Sequence, residues 1–197
     1  ISAGGIQGIF ISLETTSGLT QTGTIASTGV VSVSNTNGSV ELTQANTIAG
    51  IEITSSGLVA VKNTVPMSIN GSGIKSGVLN LDITGDLTAL SDITSTAFDA
   101  TIDGKASFTN ITTSVGDLDI DATGEITVQN SLTSEGDISV GKGGGVTLNK
   151  ATSNTGSIDI TGSGDILLTG EVLANKSLIV DASGAVTISD ATAEEMI

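Results

Sequence analysis

Apolar residues in this chain come in pairs two positions apart, on either side of a recurring glycine. The stretch Gly156-Ser-Ile-Asp-Ile-Thr-Gly-Ser-Gly164-Asp-Ile-Leu-Leu168 has counterparts at Gly136–Leu148 and at Gly116–Val128. Anchoring on the inner glycine aligns Gly18, Gly38, Gly57, Gly85, Gly104, Gly124, Gly144, Gly164 and Gly184 at spacings of 20, 19, 28, 19, 20, 20, 20 and 20. Before the glycine stand two apolar ranks. The first runs Ile11, Val31, Ile51, Leu79, Phe98, Leu118, Ile138, Ile158, Leu178, and the second begins at Leu13, Val33 and Ile53. Two more ranks follow the glycine, from Thr20 to Val186 and from Thr22 to Ile188. A looser third segment carries Ile25, Ile93, Ile111, Leu132 or Val172. A period of two is that of a strand with one buried face.

A unit of about 20 residues with three short strands and glycine turns predicts an all-β fold, a right-handed parallel β-helix (β-solenoid) of about nine coils. Leucine-rich repeats need a Leu/Asn signature that is absent, and propeller blades are longer, at about 40 residues. Coils stacked at about 4.8 Å give a rod of roughly 43 Å. The glycine rank is expected at a corner with φ > 0. The 28-residue gap, with the only proline (Pro66) and Asn70-Gly-Ser-Gly-Ile-Lys-Ser-Gly77, predicts a loop or hairpin at 62–78 inserted into a single β-helix segment covering 1–197.

Composition narrows the chemistry. Of 197 residues, 26 are Gly and one is Pro, and Cys, His, Trp and Tyr are absent; all six basic residues are lysines. Thiol catalysis, disulfides, haem ligation and ordinary zinc sites are excluded. A net charge of -15 without arginine argues against nucleic acid. No apolar run approaches the roughly 18 residues of a membrane span, so membrane insertion is not expected.

Segments such as Gly116-Asp-Leu-Asp-Ile-Asp-Ala and Gly156-Ser-Ile-Asp-Ile-Thr-Gly-Ser-Gly-Asp-Ile resemble the repeats of filamentous haemagglutinin-type bacterial exoproteins secreted by the two-partner route, and those of giant repetitive surface adhesins. The resemblance covers residues 8 to 192. It implies an extracellular or cell-surface filament, with this segment as its shaft. The family's Asn-Pro-rich secretion signature has no counterpart here. The expected partners are adjoining coils, in a longer chain or by end-to-end stacking, and a host-cell or surface ligand.

Two exterior arrays remain. Residues 1–81 hold three acids and two lysines, net -1, whereas 82–197 hold 18 acids and four lysines, net -14. Asp117, Asp119 and Asp121 alternate with buried positions, and stacking by twenty sets Asp99, Asp119 and Asp159 in one rank with Ser139 between them. Like charges one coil apart repel by about 0.9 kcal/mol in water. Asp99, Asp117, Asp119, Asp121 and Asp159 are therefore the candidate Ca²⁺ ligands, against a simple solvated face; no other cofactor is expected. The other array, Thr88, Ser107, Thr127, Thr147 and Thr187 interrupted by Leu167, resembles an ice-binding rank, but Gln129 and Asn149 flank it. Polysaccharide lyases and hydrolases share the β-helix architecture and work through Arg or Lys bases, or through paired carboxylates. Without Arg, and without Trp or Tyr to stack on a sugar ring, the chain is read as non-enzymatic. A carbohydrate- or ion-binding module using the 62–78 segment or the Asp face is the alternative to a shaft.

Overall fold

Alternation of β-branched and polar residues leaves each strand one apolar face, and a single strand has nothing to bury that face against. Stacking solves the problem. In a computed structural model describing residues 2, 3 and 5–196, with side chains over 5–195, the chain is built of strands and turns without helix and winds into a β-solenoid of about nine coils, all ladders parallel. Each coil contributes one strand to a sheet we call A and one or two to a sheet we call B.

The ladders define the core directly. In sheet A, Leu19, Val40, Val59, Leu79, Phe98, Leu118, Ile138, Ile158 and Leu178 pair in succession. In sheet B, Ile11, Val31, Ile51, Ile69, Ala89, Phe108, Val128, Leu148, Leu168 and Ile188 do the same. Ile53, Ile74, Ile93, Ile111, Leu132, Ala151 and Val172 form a further inward column of sheet B. Most of these side chains are fully buried in one continuous cluster. Phe98 meets Phe108 edge to face across it, centroids 6.1 Å apart.

These columns correct the register expected from the sequence. Ile11, Val31 and Ile51 belong to sheet B, and their column continues through Ile69 and Ala89, not through Leu79. The glycines fall into two columns, not one. Gly18, Gly38, Gly57, Gly77, Gly116, Gly136 and Gly156 precede sheet A strands, with Gly77 N–H donating to Gly57 C=O (2.9 Å) and Gly136 to Gly116 (3.3 Å). Gly85, Gly104, Gly124, Gly144, Gly164 and Gly184 follow sheet A strands, with Gly124 N–H on Gly104 C=O (2.8 Å). The 28-residue gap is thus one coil of twenty plus an eight-residue step from one corner to the other.

Residues 62–78 accordingly do not protrude. The strand Met67–Lys75 lies in sheet B, pairing Met67–Ile69 with Leu87–Ala89 and Ile74 with both Ile53 and Ile93. What the glycine-rich stretch adds is a bend. One residue stands between Ile51 and Ile53, but four stand between Ile69 and Ile74, and the surplus turns through Gly71 (φ +58°) and Gly73 (φ +76°).

Most corner glycines do not have φ > 0; in the two columns only Gly38 and Gly85 do. Close coil approach requires most of the others, although Gly18 would have room for a Cβ. A Cβ on Gly57 would lie 2.5 Å from Gly38 O, and one on Gly104 2.5 Å from the Gly85 carbonyl carbon.

Candidate functional site

The outer face of sheet A carries the acidic rank, because its inward positions are taken by aliphatics and each intervening residue must point out. Register places Asn80, Asp99, Asp119, Ser139 and Asp159 in one column. Two residues on, Lys62, Asp82, Thr101 and Asp121 form the next. An open groove of about 460 Å³ lies over these columns, lined by Thr43, Ala60, Lys62, Asn80, Asp82, Asp99 and Thr101 among others.

The five candidate aspartates have separate local roles. Asp99 and Asp119 are ladder neighbours, but Ser139 sets Asp159 a further coil away. Asp121 is held by Lys142 (Nζ–Oδ2 2.9 Å). Asp117 is a corner cap whose Oδ1 accepts the backbone N–H of Asp137 at 2.8 Å; Asp137 in turn accepts that of Ser157 at 2.7 Å. Among the described residues no three acidic side chains are grouped to hold a metal ion.

Asp119 is the perturbed member. Burial pushes its carboxyl above the usual carboxylate range; the nearby Asp121 and Asp99 add to this, and a hydrogen bond with the Ser139 side chain and the charge of Lys142 oppose it. Its Oδ1 is buried without a hydrogen-bond partner. Protonating that carboxyl relieves the crowding directly.

Lysines serve the acidic half as clips between coils. Lys62 pairs with Asp82, Lys105 with Glu125 and Lys150 with Glu171, each at 2.7 Å. The twenty-residue step alone would have paired Lys62 with Asp82 and Lys105 with Glu125, so these clips had a signal in the sequence; that Asp117 and Asp137 cap backbone N–H groups depends on side-chain geometry, which spacing does not contain.

Two internal polar columns also escaped sequence reasoning. Buried Asn46 Oδ1 accepts Ile25 N–H (2.8 Å) and the Gln21 side-chain amide; its Nδ2 donates to Leu42 C=O and Lys62 C=O, each at 3.0 Å. Asn63 bridges Ile48 N–H and C=O in the same manner. Beside the first glycine column runs a hydroxyl and amide column, Thr15, Asn35, Ser55, Ser95, Thr113, Ser134 and Ser153. Ser55 Oγ donates to Gly38 C=O (2.9 Å), Ser134 to Gly116 C=O (2.9 Å), and Ser153 to Gly136 C=O (2.7 Å). Its signal was present: a small polar residue stands two or three places before each of Gly18, Gly38, Gly57, Gly116, Gly136 and Gly156.

The exterior threonine rank is in the expected register. A second one, Thr94, Thr112, Thr133 and Thr152, shares sheet B, but a register break at Phe108/Asn110 and its equivalents lies between the two.

Comparison with protein-family models, with curated proteins and with solved structures finds no match to this chain.

Proposed function

We propose that this chain is a rigid spacer, a segment of the shaft of a secreted or cell-surface filament or adhesin of the filamentous haemagglutinin type, and that it performs no catalysis. The supporting observation is interchangeability. Inward ladder positions repeat coil after coil with the same apolar character, from Leu19 to Leu178 in sheet A. A structure held by a repeated ladder transmits length and stiffness, and its stability is a sum over like neighbours. Its partners on this reading are further coils, of the same chain or a second copy. Inward-facing Val186 and Ile188 in the strand Val186–Thr192 are 45% and 41% exposed, and such coils would cover them.

Removal of one coil tests the reading. Gly136 and Gly156 are equivalent, so deleting residues 136–155 rejoins the chain in register. A spacer should refold cooperatively and shorten by about 4.8 Å in solution scattering. Failure to fold would show that the coils are not interchangeable.

A second reading, a carbohydrate- or ion-binding module, draws on the groove over Lys62, Asn80, Asp82 and Asp99. Glycan-array binding abolished by Asp99→Ala would favour it over the spacer.

A further inference from the structure

One coil departs from the rest at a single corner. The third inward position of successive sheet A strands is Ile83, Ile102, Ala122 and then Lys142. Lysine cannot leave its charge in an aliphatic core without a partner. The backbone responds by inversion: Lys142 has φ +119°, the one positive φ at a non-glycine residue among the described residues. Its side chain points outward to Asp121 and is 61% exposed.

The inversion interrupts the ladder. The strand Ile138–Lys142 pairs with the preceding coil through all five residues, up to Ala122↔Lys142. With the next coil it pairs only from Ile138↔Ile158 to Val140↔Ile160, although the strand Ile158–Gly162 extends two residues further. Three glycines follow, Gly143, Gly144 and Gly145, and Gly141 precedes. Opening breaks the bonds from Gly143 N–H to Ala122 C=O (3.0 Å) and from Gly164 N–H to Gly144 C=O (3.3 Å); backbone strain, the shortened ladder and the glycine run lower its cost.

None of the other five lysines has a positive φ. Lys75 is paired to Thr54 and Thr94 on both sides. Lys62 C=O accepts from Asn46, Lys105 N–H donates to Asp86, Lys150 C=O accepts from Leu132 N–H, and Lys176 is bonded through both N–H and C=O.

We infer that the Lys142–Gly143 bond is a processing site for lysine-directed endoproteases of the trypsin type. Local opening of residues 141–145 presents an exposed lysine followed by small residues, the features such an enzyme accepts. Water adds across the amide, leaving a carboxylate on Lys142 and an amine on Gly143, with no other reactant required. The cut separates the first coils from nearly three that follow, without removing any core residue.

Limited digestion of the native chain with trypsin, followed by mass spectrometry, tests the inference. The first products should be residues 1–142 and 143–197, formed about tenfold faster than cleavage at any other lysine, because cleavage follows the population of the open form. Thr123→Lys places an exposed lysine at a corner one coil earlier, where the ladder is regular; cleavage after residue 123 should be slower by a similar factor. Native-state hydrogen exchange should show faster amides at 141–145 than at 121–125. A first cut elsewhere, or equal cleavage at 123 and 142, would overturn the inference, as would equal exchange at the two corners.

Discussion

In the first coils, the turn from sheet A towards sheet B is filled by amides. Gln21, Asn46 and Asn63 bond to one another or to the backbone of adjoining coils, and each is buried. In later coils the column of Asn46 and Asn63 continues as Ile83, Ile102 and Ala122. The surface changes at nearly the same point, from net -1 over residues 1–81 to net -14 beyond. The fold is indifferent to which filling it receives, provided the filling is complete. An amide that meets every backbone group at a wide turn and an aliphatic that needs no partner both satisfy a buried corner. Lys142 shows what happens when a residue does neither: the backbone inverts to expel it.

The comparison breaks most sharply at Asn46. Asn46→Ala leaves Ile25 N–H, Leu42 C=O and Lys62 C=O without this partner, and the expected cost is about 3–5 kcal/mol in denaturant unfolding. Ile102→Ala, in the aliphatic continuation of the amide column, should cost less, about 2–4 kcal/mol. If the alanine at 46 proved the milder change, the amide column would not be holding the first coils.

Gly144→Ala probes the corner shared by the later coils. Its Cβ would collide with Gly124 C=O, a backbone atom that cannot rotate aside, so a loss of about 2 kcal/mol is expected. An unchanged melting temperature would mean the coils can separate there at little cost.

Asp119→Asn is a smaller test, and its sign depends on pH. A carboxyl raised in the folded state takes up its proton more readily there than in the unfolded chain. This group therefore opposes folding while ionised in both states, and the opposition fades as pH falls through its folded value. Asn should raise the melting temperature slightly near pH 7, and the gain should vanish in acid. A gain of equal size at both pH values would point to packing instead. Thr147→Ser, on the outer face of sheet B, should change stability by less than about 0.5 kcal/mol.

How far the fold was legible follows from these residues. Period-two pairs around Gly124, Gly144 and Gly164 were sufficient for a solenoid with twenty-residue coils, because nothing else buries such strands. The phase of the first three coils was not legible. Both corner columns read as a glycine followed two places later by an apolar residue, as at Gly57–Val59 and Gly85–Leu87, so a step between corners looks like an insertion. Only inter-coil hydrogen bonds distinguish them. The acidic column was legible in full, since a twenty-residue step predicts neighbours directly. The division of its members into a caged Asp121, a corner-capping Asp117 and a desolvated Asp119 depends on side-chain geometry, which spacing does not contain.

The two-corner register is tested most directly by cross-linking, since the chain has no cysteine of its own. Ser68 and Thr88 are opposite one another in sheet B. Ladder partners stand about 4.8 Å apart, within the Cα range a disulfide spans. Ser68→Cys with Thr88→Cys should therefore oxidise to an intramolecular disulfide under mild oxidant. Asp99→Cys with Asp119→Cys, which are neighbours under either register, is the positive control. Cross-linking of both pairs is the predicted result. Cross-linking at 99/119 with free thiols at 68 and 88 would contradict the account and return residues 62–78 to the outside of the coil.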